Sequence, residues 1–349
     1  MAVLLVFGSA LAAAQDQTQA TPVASASTIS VDARLVNIPV VVHDKKGALV
    51  QTLTKDNFIL KVDGHDQAIR YFNQDTDLPL TLGLLVDTSQ SQRSVLDEER
   101  AASIAFLNDL LNAPAERDKA FVVQFAVQTD LLQEVTGSKP KLQAALKKLE
   151  VPALDRNAGR IESGADNSVA ARLHRAGVGT TLYDALFLSS DSVLGKQKGR
   201  KAVIILSDGG DFGSKETLAK SIEAAQRADT IVYAIYFKGD GLGGGRGAMA
   251  RGGMGRGGMG QGGQGRAGIE SREDGKKVLQ RMADETGGWL FEVKGKETLA
   301  AIYKQIGDQL RAQYRLGYTP DKETAADGYH QIGLSVTAAS PKDLYIQTR

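Results

Sequence analysis

Hydrophobic positions along this chain follow two rhythms. From Leu78 to about Ala312, short apolar runs alternate with stretches whose apolar residues recur every three or four positions. That alternation of strand and helix builds a parallel α/β sheet. Leu82-Gly83-Leu84-Leu85-Val86, Ala120 to Val127, Ala202 to Leu206 and Ile231 to Phe237 are almost unbroken, as strands buried on both faces require. Leu131 to Val135 suits an edge strand, and Trp289 to Val293 closes the sheet. Helical spacing links Val95, Ala102, Phe106 and Leu110, then Leu218, Ile222 and Ala225, and finally Leu299, Ile302, Ile306 and Leu310. Leu142 to Leu149 is a short helix, and the helix Val278 to Thr286 is stopped by Gly287-Gly288.

Both flanks of this region change to a β rhythm. Residues 28–77 carry Val31, Leu35, Ile38, Val40 and Val42, then the short runs Leu49-Val50, Phe58 to Val62 and Ala68 to Phe72. Asp63-Gly64 between the last two is a tight-hairpin signal. Fifty residues are few for an independent sandwich. The tail, residues 314–349, offers Tyr314 to Tyr318, Gln331 to Thr337 and Leu344 to Thr348 as its missing half. The expectation is an α/β domain over residues 78–313 inserted in a small β-sandwich.

The first fourteen residues, MAVLLVFGSALAAA, form an apolar run ending in three alanines. This is the pattern of a secretory signal peptide, too short to span a bilayer. No Lys or Arg precedes Arg34; an upstream start codon would account for the missing basic residues. Residues 15–27, rich in Gln, Thr, Ala and Ser, read as a linker. The expected location is therefore the periplasm or the cell exterior, with no integral membrane segment after cleavage. The chain of 349 residues has no cysteine, which excludes disulfides and thiolate chemistry. Its formal charge of +1 gives no general argument for nucleic acid or an anionic surface.

Candidate chemistry sits where apolar runs end. The run Leu82 to Val86 stops in Asp87, Ser89 and Ser91, oxygen side chains at alternate positions. A strand, a polar turn and a helix place them at the carboxyl edge of the sheet, where open α/β folds bind ligands. Oxygen ligands suit Mg²⁺ or Mn²⁺ rather than zinc. The same residue types also serve simply as turn and helix-start residues. Thr180 follows a glycine ahead of a helix, and Asp208 ends the central run Ala202 to Leu206. Five residues from three loops, Asp87, Ser89, Ser91, Thr180 and Asp208, thus converge on one candidate ion site.

In these motifs the chain resembles the von Willebrand factor A domains, also called integrin I-like domains. Their metal-ion-dependent adhesion site reads Asp-x-Ser-x-Ser, then Thr in a Gly-Thr-x-Leu context, then Asp after an apolar strand and before Gly. Asp87, Ser89 and Ser91, then Thr180, then Asp208 match in that order, within a region covering about two thirds of the chain. The run LTKDNF at Leu53 to Phe58, and Leu78-Pro79-Leu80, are similar to the von Willebrand A-related proteins of Acidobacteria. The resemblance implies a Rossmann-like fold with a six-stranded, mostly parallel sheet flanked by helices, and a metal at its carboxyl edge. It also implies that the two aspartates act through bound waters, leaving an electron-poor ion able to accept an Asp or Glu carboxylate from a partner protein.

Two stretches stand outside this pattern. Between Leu149 and Gly179 lies a polar segment with Arg156, Arg160, Glu162, Asp166, Arg172, His174 and Arg175, next in sequence to Thr180. In residues 239–268 more than half of the positions are glycine, interspersed with Arg246, Arg251, Arg256 and Arg266. Such a composition cannot offset its ordering entropy and reads as a disordered surface insertion. Its start matches GxGxxG, but the glycines continue and no helix begins there, which argues against a dinucleotide site. Arg-Gly-Gly repeats can bind RNA, yet an exported protein would rarely meet it, so no nucleic acid is expected. The four histidines, His43, His65, His174 and His330, lack metal-ligand spacing, and no HExxH, GxSxG or Walker A motif occurs. The reading is a metal-dependent protein-binding module for adhesion or envelope assembly, and not an enzyme. A metal-independent scaffold and a Mg²⁺-dependent hydrolase built on Asp87 and Asp208 are the alternatives.

Overall fold

The computed structural model describes residues 35–45, 48–74, 78–111, 117–153, 179–238, 274–294, 298–320, 330–337 and 344–348. The expected signal peptide, the linker, the Gly/Arg-rich stretch 239–268 and most of the polar segment before Gly179 lie outside these residues. In chain order the elements begin with β1 (Val36–Asp44), β2 (Phe58–Val62), β3 (His65–Gln67) and β4 (Tyr71–Gln74). The α/β region follows with β5 (Leu80–Asp87), α1 (Leu96–Leu110), β6 (Lys119–Phe125), β7 (Thr129–Thr136), α2 (Lys139–Leu146) and α3 (Leu182–Leu188). It continues through β8 (Arg200–Ser207), α4 (Leu218–Arg227), β9 (Thr230–Tyr236), α5 (Gly275–Thr286), β10 (Leu290–Glu292) and α6 (Leu299–Arg311). Last come β11 (Tyr314–Tyr318), β12 (Ile332–Val336) and β13 (Leu344–Thr348).

The central sheet has the strand order β10-β9-β8-β5-β6-β7, parallel except for β7 at one edge. All eight residues of β5 are buried, because helices cover both faces. Side-chain alternation divides the core. Leu82, Leu84 and Val86 face α1, α2 and α6, whereas Leu85 faces α3, α4 and α5 with Phe121, Val203 and Ile205. Gly83 leaves the space that the Phe121 ring of the neighbouring strand fills; a Cβ there would stand 2.4 Å from that ring. This is the mostly parallel, helix-flanked α/β sheet that the resemblance implies. Among the described residues no helix is long and apolar enough to cross a membrane.

The flanking strands form two antiparallel sheets, β13-β1-β11-β4 and β12-β2-β3. Residues from both ends of the chain interleave: β1 pairs with β11 and β13, and β2 pairs with β12. Ile38, Val40, Val42, Leu316 and Tyr318 from one sheet share a core with Phe58, Leu60, Val62 and Val336 from the other. Tyr314 fastens it, stacking near Phe72 and donating its hydroxyl to Val50 O while accepting from Leu53 N.

One expected strand divides differently. Asp63 and Gly64, both at positive φ, turn β2 into the short β3, and Ala68 to Arg70 then passes to the other sheet, where β4 begins at Tyr71. Ile69 is buried in the shared core during that crossing, and Arg70 N donates to Gly317 O. Alternation alone cannot distinguish such a crossing from a strand, since both bury one apolar residue in two. Leu49-Val50, also expected as a strand, makes an isolated bridge to His43 and one further backbone hydrogen bond to Val42.

The α/β region is held to these sheets at its base. Arg200, buried at the start of β8, donates to Leu78 O at 2.9 Å, on the connection from β4 to β5, and to Leu310 O in the last turn of α6, which leads into β11. On the outer side of β13, Gln347 donates to Gly287 O at 3.1 Å.

Candidate metal centre

Strand order creates the crevice. The chain runs from β5 outward through β6 and β7, then returns to β8 and proceeds the other way through β9 and β10. Loops leaving the carboxyl ends of β5 and β8 therefore diverge, and a ligand site opens at that switch point. Asp87 is the last residue of β5, and Asp208 directly follows the last residue of β8.

Asp87 is fully buried, with its carboxylate held on both oxygens. Oδ1 accepts from Ser89 N at 2.9 Å, and Oδ2 accepts from the Ser207 hydroxyl at 2.6 Å. The Ser207 hydroxyl itself accepts from Gly209 N at 2.9 Å, so one side chain links Asp87 to the loop that carries Asp208. Ser89 and Ser91 have their hydroxyl oxygens 3.1 Å apart. Asp208 is half-buried, and Oδ1 accepts from Gly210 N at 3.0 Å.

Thr180 reaches the same place by backbone pairing. Its N donates to Phe212 O at 3.1 Å and its O accepts from Phe212 N at 2.7 Å, which joins the segment before α3 to the loop after Asp208. The neighbouring Thr181 turns away: its hydroxyl donates to Ala126 O and lies 2.8 Å from the Thr129 hydroxyl. Two further aspartates brace this junction. Asp211 accepts from Tyr183 N and the Ser214 hydroxyl, and Asp184 accepts from Lys215 N and Glu216 N. The structure thus ties the three loops together through Ser207 and the Thr180–Phe212 pair.

Glycine makes the β8 loop possible. Gly209 has φ +76°, and a Cβ there would lie 2.0 Å from Gly275 O at the start of α5. β9 ends at Tyr236 on the same carboxyl edge of the sheet, and Gly275 at the start of α5 packs directly against the loop that carries Asp208.

The electrostatics are one-sided. Burial pushes the Asp87 carboxyl up to about 7, and the Asp208 charge adds to that, against the lowering effect of the Ser207 and Ser89 hydrogen bonds. Burial also raises the Tyr236 hydroxyl, assisted by Asp208 and then Asp274. Among the described residues no cation acts on Asp87, and two carboxylates facing one crevice without a compensating one are costly. A cation would supply that compensation. The donors would be two carboxylates and three hydroxyls, with no nitrogen or sulfur. Among the described residues no three His, Cys, Asp or Glu side chains gather as a metal cluster, so hydroxyls would have to complete any coordination here. Such a set fits a hard divalent ion.

Sequence reasoning did not single out Ser207, Phe212 or Glu99. Ser207 looks like the last residue of an apolar strand, and only the strand order sets its hydroxyl against Asp87. Phe212 is exposed beside Thr180, although nothing in its sequence context marks it. Glu99, within an amphipathic helix, is fully buried; a helical wheel placing it beside Ser103 and Phe106 offers a weak signal.

No family model matches the chain, and no curated protein matches it. Solved structures do overlay. BatB from Bacteroides thetaiotaomicron shares 15% identity over 66% of this chain and 99% of its own, with a TM-score of 0.41. The SpRpn10 VWA domain shares 12% over 65% and 95%, with a TM-score of 0.38. Proximal thread matrix protein 1 from the mussel byssus, with a zinc-occupied MIDAS motif, shares 15% over 72% of this chain, with a TM-score of 0.45. The chain spans 50% of that protein's length. The structural neighbours thus include von Willebrand A-domain proteins, while the fold described above rests on strand order alone.

Proposed function

We propose that this protein is a metal-ion-dependent protein-binding module acting in adhesion or envelope assembly. Asp87, Ser89, Ser91, Thr180 and Asp208 hold Mg²⁺ or Mn²⁺, and an open position on the ion takes an Asp or Glu carboxylate from a partner protein. The observation that carries this reading is the joining of three loops at the β5/β8 switch point, where a buried Asp87, held by the Ser207 hydroxyl and the Ser89 amide, faces a second carboxylate. Neutral hydroxyl ligands leave the ion much of its charge, which favours an anionic ligand. The role is binding and not catalysis. The apolar run and small residues of Met1 to Ala14 support export, and the LTKDNF and Leu78-Pro79-Leu80 runs support a place beside the von Willebrand A-related proteins of Acidobacteria.

The test is affinity capture from an envelope extract in Mg²⁺, in chelator, and with Asp208→Ala and Asp87→Asn variants in Mg²⁺. Partners recovered only by the unaltered protein in Mg²⁺ support the reading. Recovery of the same partners in every arm overturns it.

A further inference from the structure

Glu99 lies one helical turn into α1, which follows directly from the Asp87 loop. Its side chain is fully buried, and neither carboxylate oxygen has a hydrogen-bond partner among the described residues. The neighbours on its face of the helix are different: Ser103 meets the Tyr303 hydroxyl at 2.8 Å, and Phe106 stacks on the Tyr303 ring. The charges acting on Glu99 are negative, Asp87 first and Glu98 second, and Tyr303 on α6 is the titratable group across the interface. The adjacent cation, Arg100, is directed elsewhere, to Asp97 and to the carbonyls of Leu146 and Leu149. Helix-dipole stabilisation does not require Glu99 either, since Asp97 and Glu98 are exposed in the same turn.

Among the described residues Glu99 thus has neither donor nor counter-charge, a costly arrangement for a buried carboxylate. A methionine would fill nearly the same space without that cost, and a glutamine without the charge. The positive charge that suits Glu99 is the one proposed for the crevice in front of Asp87. Glu99 is not itself a ligand, because Asp87, Asp208 and Glu99 do not come together as a coordinating group.

We propose that Glu99, a buried carboxyl on the helix that follows the Asp87 loop, ionises when a divalent cation occupies the crevice, adding a third negative charge to the cradle and thereby selecting a divalent over a monovalent cation. This inference rests on the metal-binding reading above and adds the residue that sets the ion's charge. Removing a full charge several ångströms from a bound ion changes its affinity by about 10–100-fold at the effective dielectric of a protein.

The experiment titrates the full chain with MnCl₂ by calorimetry, with and without excess KCl, and records Tm in chelator for the unaltered protein, Glu99→Gln and Glu99→Met. The expected result is a loss of Mn²⁺ affinity of about 10–100-fold in both variants, greater sensitivity to K⁺, and a Tm in chelator equal to or above that of the unaltered protein. A merely structural role gives the opposite pattern, a lower Tm in chelator or no folded protein, and unchanged Mn²⁺ affinity in any variant that folds; that pattern overturns the inference and leaves the metal reading standing. If the unaltered protein itself binds no Mn²⁺, the metal reading fails and the role of Glu99 falls with it.

Discussion

The Ser207 hydroxyl donates to Asp87 Oδ2 at 2.6 Å across the boundary between β8 and β5. The two residues are 120 positions apart in sequence, about half of the α/β domain, and the strand order alone makes them neighbours. Through this bond the residue before Asp208 orients the residue that opens the Asp-x-Ser-x-Ser run.

Removing that hydroxyl has two effects with one cause. Ser207→Ala takes a donor from a buried carboxylate and an acceptor from Gly209 N. We expect a loss of roughly 1–3 kcal/mol, measured by urea unfolding at neutral pH. Because the Ser207 bond lowers the Asp87 carboxyl, the variant should also titrate higher than the parent, shifting the pH at which stability changes.

Stability without metal should fall as pH rises. The Asp87 carboxyl stands at about 7 in the folded chain against an ordinary value of 3.8, so between these values the folded state holds a proton that the unfolded state has released. The slope of unfolding free energy with pH is negative in that window and flat on either side for this group. The total is on the order of 4 kcal/mol, and Glu99, raised by burial and by Asp87, acts in the same direction. Tm in chelator from pH 4 to 8 measures it. Excess Mg²⁺ should remove most of the decline, since the ion binds the ionised form; a decline identical with and without Mg²⁺ would count against the metal centre.

Gly209 and Gly64 offer a matched comparison. Both have positive φ, but a Cβ at Gly64 meets nothing within 4 Å, whereas at Gly209 it meets Gly275 O at 2.0 Å. Gly64→Ala should cost about 1 kcal/mol from backbone strain. Gly209→Ala must also push α5 away from the Asp208 loop, and should cost well over ~2 kcal/mol and weaken Mn²⁺ binding. Denaturation midpoints of the two variants side by side test the difference.

Phe212 separates metal binding from partner binding. Its backbone anchors Thr180 while its ring is exposed, so Phe212→Ser keeps the pairing and removes only the ring. Stability should change by no more than about 0.5 kcal/mol, and the Mn²⁺-induced rise in Tm should persist. Partner capture in Mg²⁺ should fall if the ring contacts the protein that supplies the carboxylate.

The individual elements were legible because their patterns are local. Unbroken apolar runs such as Ala202 to Leu206 gave buried strands, three-to-four spacing gave α1, α4 and α6, and Gly287 ends α5 with φ +80° as the sequence suggests. The passage of Ala68 to Arg70 between two sheets was not legible, because a crossing segment and a strand share one alternation.

The sequence by itself determined which side chains end the two central strands, since a carboxylate after an apolar run must sit at the strand's exit. It also determined that oxygen donors alone are present there. Tertiary structure decided everything that depends on strand order: the opposition of Asp87 and Ser207, the Thr180–Phe212 pair, and the burial of Glu99. Those relationships join residues far apart in the chain, and no periodicity encodes which parallel strand lies beside which. They follow from how the whole core packs, with three of the described helices on each face of one sheet.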